Sequence, residues 1–267
     1  MGKITVKHYL NTKLKPEIDE DYISYPLYVS ITVNSKNIKR RSSGHLFYLA
    51  KEELENENTI NLINYEKNLL TRIIQVFIKD WDNKTVNKEY LYFFSNKGYN
   101  SKDDFINSLN SYIDFYKYSI FGAVSKYCED KIDDEIYKKI ADCLKSDAND
   151  IKRVFSYNPY IAGFKIEKFL LDNLSNDGIE LLVLKERLRS FLAPYNIETG
   201  YDIPYIDWIQ NKIQSKFQIY LKTYKRRSEY YLPNDFEFSD ELINKYILLI
   251  DEIVNSENYI EQIQNSF

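Results

Sequence analysis

Apolar and polar residues alternate through most of the first fifty positions, which is the pattern of half-buried β-strands. The first strand is predicted over Lys3–Asn11, and its two sides carry Ile4, Val6 and His8 against Thr5, Lys7 and Tyr9. A second strand, in YPLYVSITVN, begins just after Pro26 and ends in an Asn-Ser-Lys-Asn turn. A third runs through IKRRSS to Gly44, and residues 45–50 have room for a short fourth. The stretch LKPEIDEDYIS between the first two strands is predicted to be an acidic loop.

Beyond residue 56 the apolar residues recur at helical spacing, beginning at Thr59 with Ile60 and Ile63. Further helices are predicted from a cap at Ser101, over 133–145, 148–156, 163–174 and 178–193 (stopped near Pro194), from Ile203 to about Tyr231, and from Ser239 to about Gln264. The last helix has a broad apolar face, which implies burial between neighbouring helices or against another subunit.

These patterns predict an α+β fold, in which a small N-terminal antiparallel sheet of three or four strands precedes a mostly α-helical body. The predicted domains are an antiparallel β domain over 1–56, a linker helix and turn over 57–100, and a helical interaction domain over 101–267. Three or four strands are marginally stable alone, so we expect a helix to cover one face of the sheet.

Charge is divided unevenly along the chain. Residues 1–50 contain eight Lys and Arg against four acids, a net charge of +4, whereas the chain as a whole has a net charge of -4. The remaining 217 residues therefore carry -8. A basic first domain on an acidic body predicts an anionic partner for the first domain alone.

Several classes of protein are disfavoured by the sequence. No signal-peptide pattern and no apolar run of roughly 20 residues occurs, so we expect a protein of the virion or host cytoplasm with no membrane contact. The chain has two His, His8 and His45, and two Cys, Cys128 and Cys143, without metal-site spacing. No phosphate-binding loop or hydrolase motif is present. We therefore predict no enzymatic activity, no metal and no cofactor.

Two basic clusters are candidate contact sites. The first lies on the predicted hairpin, with Ser42 as a hydroxyl donor beside its cations Lys36, Lys39, Arg40 and Arg41. Because alternate residues of a strand share a face, Lys39 and Arg41 are expected to project together and Arg40 to point the other way. The second cluster ends the helix that begins at Ile203 and consists of Lys222, Lys225, Arg226 and Arg227. The helix dipole favours cations at that position without any ligand, so this cluster also fits a solvated helix end.

The first domain resembles the N-terminal arm-type DNA-binding domain of tyrosine recombinases, or integrases, of Bacteroidetes phages and mobile elements. The resemblance is carried by KITVKHYLNTKL and YPLYVSITVNSKNIKRRSSGHLFYL, against a family pattern of YPIYVRITVNGKR and a Ser-Thr-Gly-like end to the third strand. The matching residues are Tyr25, Pro26, Leu27, Tyr28, Val29, Ile31, Val33, Asn34, Ser42, Ser43 and Gly44. With the segments similar to the family's linker helix and turn, it covers about 95 of the 267 residues. The resemblance implies a sheet that binds duplex DNA.

The sequence departs from that family in two respects. Ser30 stands where the family often has Arg, and Ser35 where Gly is common in the turn. A tyrosine recombinase also needs His and Arg residues around the scissile phosphate, and no His follows His45. Strand cleavage is therefore not expected, and residues 101–267 should serve another purpose.

Three hypotheses follow for a non-enzymatic phage or mobile-element protein. The leading one is a virion structural or assembly subunit, such as a connector or ring component near the portal, with other protein subunits as partners. The alternative is a non-catalytic accessory protein that binds double-stranded DNA through the hairpin. The third is a regulator or scaffold that binds another protein.

Overall fold

The fold is α+β, as predicted, with an antiparallel sheet at the N-terminus and a mostly helical body after it. The structure is a computed structural model that describes residues 4–19, 22–42, 48–86, 103–131, 138, 142, 175–199, 202–210, 212–223 and 238–256. The strands are β1 Thr5–Leu10, β2 Glu17–Asp19, β3 Tyr22–Val33, β4 Lys36–Arg41 and β5 Tyr48–Leu49. A 3₁₀ turn, Glu52–Glu55, precedes the helices α1 Glu57–Asp82, α2 Asp104–Lys117, α3 Ile120–Lys131, α4 Asn176–Thr199, α5 Tyr205–Ile209, α6 Gln214–Thr223 and α7 Asp240–Val254.

The long strand β3 organises the sheet, because every other strand pairs with it in antiparallel orientation. Its second half lies between β1 and β4, with Ser30 opposite both Lys7 and Lys39. Its first half pairs with β2 through Tyr22–Ser24 and with β5 at Tyr25 and Pro26. The short strand predicted within residues 45–50 is thus present as β5.

The turn between β3 and β4 is the two-residue loop Asn34-Ser35, shorter than the predicted Asn-Ser-Lys-Asn turn, because Lys36 and Asn37 already pair with β3 as part of β4. Both residues have positive φ, 48° at Asn34 and 63° at Ser35. Hairpin loops of two residues favour this geometry because its twist matches that of the strands. It fixes the register, with Val33 opposite Lys36, and thereby decides which face each basic side chain occupies.

The inner face of the sheet packs against α1 and α2, which confirms the expectation that a helix covers one face. The shared core combines strand residues Val6, Val29, Ile31, Val33 and Ile38 with helix residues Leu69, Leu70, Ile73, Ile74, Phe77, Ile78, Phe105, Leu109, Tyr112 and Ile113. Alternation in the strands and the 3.6-residue period in the helices together produce this single apolar layer. Ile60, which matches the helical period, is 42% exposed.

The chain divides into two compact units. The first comprises 1–118, 194–206 and 263–267, and contains the sheet with α1 and α2. The second comprises 119–193 and 207–262. In the second unit, Asp251 Oδ1 accepts hydrogen bonds from Trp208 Nε1 at 2.6 Å and from Gln214 Nε2 at 3.0 Å. Among the described helices, none combines the length and apolarity that a bilayer span requires.

Some predicted boundaries are wrong. The acidic segment before β3 is not a loop throughout, because Glu17–Asp19 forms β2. α2 begins at Asp104 and is capped by Asp103, whose carboxylate accepts from Phe105 N at 3.0 Å, rather than by Ser101. The helix predicted to stop near Pro194 continues to Thr199. A proline removes one backbone donor and is accommodated there within the helix.

Two C-terminal helices also differ from the predictions. The helix expected from Ile203 is interrupted between α5 and α6, where Trp208 and Gln214 turn to the shared acceptor Asp251. The last helix starts after the predicted cap Ser239 but ends at Val254. The helices predicted over 148–156 and 163–174, that over 133–145 except for residues 138 and 142, and Gly44 and Cys143 lie outside the described residues.

Candidate nucleic-acid interface

The outer face of β1, β3 and β4 lies opposite the core and presents three rows of side chains. Because residues paired across an antiparallel ladder share a face, each row contains one residue of each strand. The rows are Thr5, Thr32 and Asn37, then Lys7, Ser30 and Lys39, then Tyr9, Tyr28 and Arg41. We call these nine residues the outer face. It contains three cations and no carboxylate.

The three cations of the outer face are exposed to solvent. Lys7 and Lys39 flank Ser30 from the two neighbouring strands, so their Cα atoms are about 10 Å apart. Within the part of the chain that the structure describes, neither lysine forms an ion pair or a side-chain hydrogen bond. Their charges are thus available to an anionic ligand.

Arg41 is held in place by an aromatic side chain. Its guanidinium lies 5.0 Å from the ring centroid of Tyr48 and donates to the Tyr48 hydroxyl at 2.7 Å. In the same row the rings of Tyr9 and Tyr28 are 6.1 Å apart and tilted by 41°. This orders the arginine without neutralising it, because the phenol is uncharged.

Hydroxyl and amide groups complete the outer face. The Asn37 amide donates to Ser30 Oγ and to Thr32 Oγ1, both at 2.9 Å. These contacts cross from β4 to β3 and fix polar groups beside the cations. Hydroxyls and amides are common donors to phosphate oxygens.

Two cations of the predicted hairpin cluster, Lys36 and Arg40, face inward and hold the sheet on α2. Lys36 Nζ lies 2.7 Å from Asp103 Oδ2 and donates to Oδ1 at 2.8 Å, and this hydrogen bond lowers the pKa of Asp103. Arg40 pairs with Asp114 and donates to the backbone and side-chain oxygens of Asn110 at 3.2 and 3.1 Å. The predicted orientation of Arg40, opposite to Lys39 and Arg41, is therefore confirmed.

Ser42, the fifth residue of that cluster, is buried at the end of β4. Its hydroxyl donates to Glu66 of α1, which is fully buried. Glu66 also binds His8 Nε2 at 2.8 Å and Lys117 Nζ at 2.9 Å. The cluster therefore ties β1, the end of β4, α1 and α2 together in the interior.

The charge state of Glu66 follows from competing effects. Burial raises its pKa, but the Lys117 charge and the hydrogen bonds from His8 and Ser42 outweigh burial, so that the pKa of Glu66 is lowered far below its ordinary value of 4.5. Burial also lowers the pKa of Lys117, against the attraction of Glu66. An ionised Glu66 can only accept, so His8 Nε2 is the donor to it.

The second predicted basic cluster is described only at its first residue. Lys222 Nζ lies 2.7 Å from Asp240 Oδ1, and both side chains are more than half exposed. Lys225, Arg226 and Arg227 lie outside the described residues. Over the described ranges, no group of three or more His, Cys, Asp or Glu side chains is arranged to hold a metal ion.

Sequence reasoning about the basic cluster did not include Lys7. The alternation in β1 already groups Lys7 with Thr5 and Tyr9, but the register that places it beside Ser30 and Lys39 appears only in the folded sheet. Comparison of the chain with protein-family models, with curated proteins and with solved structures gave no match.

Proposed function

We propose that this protein binds double-stranded DNA through the outer face, as a non-catalytic accessory protein of a phage or mobile element. The observation that carries the proposal is the convergence of Lys7, Lys39 and Arg41 on one exposed surface without a carboxylate in any of its three rows. The resemblance of the first domain to integrase arm domains favours the same ligand.

The chemistry of the outer face suits a phosphate backbone. Cations supply the sequence-independent part of DNA affinity through release of counterions. Ser, Thr and Asn side chains add hydrogen bonds that fix the orientation of the duplex. The major groove is wide enough to admit β-strands, so a small sheet can contact phosphates on both sides of a groove.

The inward cations support this function indirectly. Lys36 and Arg40 fasten β4 to α2 through Asp103 and Asp114, so the strand that carries Lys39 and Arg41 is fixed before a ligand arrives. A preorganised surface loses less entropy on binding than a mobile one. We therefore assign Lys39, Arg41 and Lys7 to DNA contact, and Lys36, Arg40 and Ser42 to support of the sheet.

The experiment is duplex binding by fluorescence anisotropy at about 0.1 M salt, for the wild type and for Lys39→Ala combined with Arg41→Ala. Counterion release at this salt concentration predicts a loss of affinity on the order of tenfold for each cation, and little dependence on DNA sequence. Lys67→Ala combined with Lys79→Ala, two exposed lysines of α1, is the matched control and should bind as the wild type does. Equal affinity of all three proteins, or no binding by the wild type at low salt, would refute the proposal.

A further inference from the structure

Two hydroxyls of the outer face share a single amide donor. Ser30 and Thr32 are two residues apart on β3, so their side chains lie on the same face of the strand. The side-chain nitrogen of Asn37 on β4 donates to Ser30 Oγ and to Thr32 Oγ1, both at 2.9 Å. A carboxamide has two hydrogens to donate, and these two contacts use both of them. The amide therefore fixes the two hydroxyls relative to each other.

The hydrogens of these two hydroxyls are left for another acceptor. A hydroxyl has one hydrogen to donate and two lone pairs, and Asn37 occupies one lone pair of each oxygen. Within the described part of the chain, neither Ser30 nor Thr32 donates from its side chain to a protein acceptor. Both contacts with Asn37 lie at the exposed surface. The two O–H groups are thus available to a ligand.

The spacing of the two hydroxyl oxygens fits one tetrahedral anion. Because both accept from the same planar nitrogen at 2.9 Å, Ser30 Oγ and Thr32 Oγ1 are about 5 Å apart. A hydroxyl donates to a charged oxygen over about 2.6 Å. Two hydroxyls at this separation can therefore donate to two oxygens of one phosphate group placed between them.

The same position lies between two cations. In the sheet, Ser30 is directly opposite Lys7 of β1 on one side and Lys39 of β4 on the other. Both lysines are exposed, and the three rows of the outer face contain no carboxylate. An ammonium group is a point charge on a flexible stem, so each lysine can approach an anion that the hydroxyls hold. The hydroxyls fix the position of the anion and the lysines attract it.

We propose that these groups form one phosphate-binding site, which consists of two hydroxyls, of Ser30 and Thr32, and two flanking cations, Lys7 and Lys39. Asn37 is its positioning residue and contributes through the hydroxyls. Because the site rests on the proposed function, its ligand is one phosphodiester of duplex DNA. Base edges present donors as well as acceptors, whereas this site offers ammonium and hydroxyl hydrogens and so favours a group that only accepts.

The test is duplex binding by fluorescence anisotropy over a series of salt concentrations. Ser30→Ala with Thr32→Val removes both hydroxyls and keeps the branched shape at position 32. We expect the affinity to fall about tenfold at every salt concentration, because two donors to an anion are lost. The slope of log affinity against log salt should not change, since a hydroxyl releases no counterion. Lys39→Ala, in contrast, should reduce that slope by about 0.9.

The matched control is Ser30→Thr with Thr32→Ser, which exchanges the two side chains and keeps both hydroxyls. It should bind duplex DNA as the wild type does. A loss of affinity in this control equal to that of the variant without hydroxyls would overturn the assignment, because the loss would then follow from the change of shape.

Asn37→Ala tests the positioning role. Alone it should weaken binding about threefold, and it should cause no further loss when added to Ser30→Ala with Thr32→Val, because it acts only through the hydroxyls. A direct contact between Asn37 and DNA would give the same loss in both backgrounds, and that result would overturn the role of Asn37.

The phosphate site and DNA binding itself can fail separately. If Lys39→Ala reduces the salt slope but the variant without hydroxyls binds as the wild type does, the phosphate site fails and DNA binding stands. A slope reduced in that variant as much as in Lys39→Ala would also overturn the site, because displaced cations would then explain the loss. If the wild type does not bind duplex DNA at low salt, both proposals fail.

Discussion

Arg40 and Arg41 are adjacent in the sequence and lie on opposite faces of β4. Arg40 is largely buried and pairs with Asp114, while Arg41 is exposed and stacks on Tyr48. Their environments give the two arginines separable roles, one in the stability of the sheet and one in binding. A variant that changes both residues would confuse the two effects.

Arg40→Ala should therefore destabilise the protein, whereas Arg41→Ala should not. Removing Arg40 deprives Asp114, which is 6% exposed, of this ion pair, and we expect the free energy of unfolding to fall by about 2 to 3 kcal/mol. Arg41→Ala should change it by less than about 0.5 kcal/mol. Urea denaturation of both variants measures this difference, and equal losses would contradict the assignment.

Glu66 is a buried acid of α1 whose carboxylate contacts side chains of the sheet and of α2. Because its pKa is below the ordinary value of 4.5, the native state binds fewer protons than the unfolded chain as the pH falls below that value. The stability that the ionised Glu66 contributes is present above about pH 4.5 and is lost as the pH falls toward its lowered pKa. Stability falls as the pH falls because the folded state favours the ionised form of Glu66.

Glu66→Gln should lower the free energy of unfolding by about 3 kcal/mol near neutral pH, since Lys117 loses its partner. It should also flatten the loss of stability below about pH 4.5, because the titrating group is gone. Urea denaturation over a pH series, with exposed Glu198→Gln as control, measures both effects. Parallel pH profiles for the wild type and Glu66→Gln would show that Glu66 does not titrate as described.

At the scale of elements, the β3–β4 hairpin depends on a turn whose residues are not glycine. Ser35 has φ 63°, a conformation that costs a residue with a Cβ on the order of 1 kcal/mol relative to glycine. Ser35→Gly should accordingly raise the free energy of unfolding by about 0.5 to 1 kcal/mol, and Ser35→Val should lower it. Thermal and urea unfolding test the order Gly, Ser, Val, and any other order would contradict the turn geometry.

The sequence predicted those elements whose signals are local. Alternation identified β1, β3 and β4, the turn-forming residues after Val33 marked the hairpin, and Ser239 marked the start of α7. It missed β2, because a strand of three exposed residues, two of them acidic, is too short to show a distinct alternation; β2 pairs with Tyr22–Ser24. It also missed the break before α6, near which Trp208 and Gln214 both donate to the distant acceptor Asp251.

Only part of the candidate interface could be predicted from the sequence, because only some of its features have a local signal. Alternation placed Lys39 and Arg41 on one face of β4, but it could not identify what Lys36 and Arg40 contact. Their partners Asp103 and Asp114 lie 67 and 74 residues further along the chain. Contacts at such separation arise from packing of α2 on the sheet and have no local signature.

At the scale of the whole molecule, charge is distributed to allow more than one association. The first fifty residues carry +4 on a chain of net charge -4, and within the sheet the cations and the acids of β2 lie at different ends of β3. The hypothesis of a virion connector or ring subunit stays a prediction. Light scattering of the purified chain would give the copy number of any closed oligomer.

The central claim is that Lys7, Lys39 and Arg41 contact DNA phosphates. The most direct measurement is the dependence of duplex affinity on salt concentration, for the wild type and for the triple variant Lys7→Ala, Lys39→Ala, Arg41→Ala. Each phosphate contact contributes about 0.9 to the slope of log affinity against log salt, so the variant should lose about 2.7 from the slope of the wild type. Identical slopes for the two proteins would contradict the account.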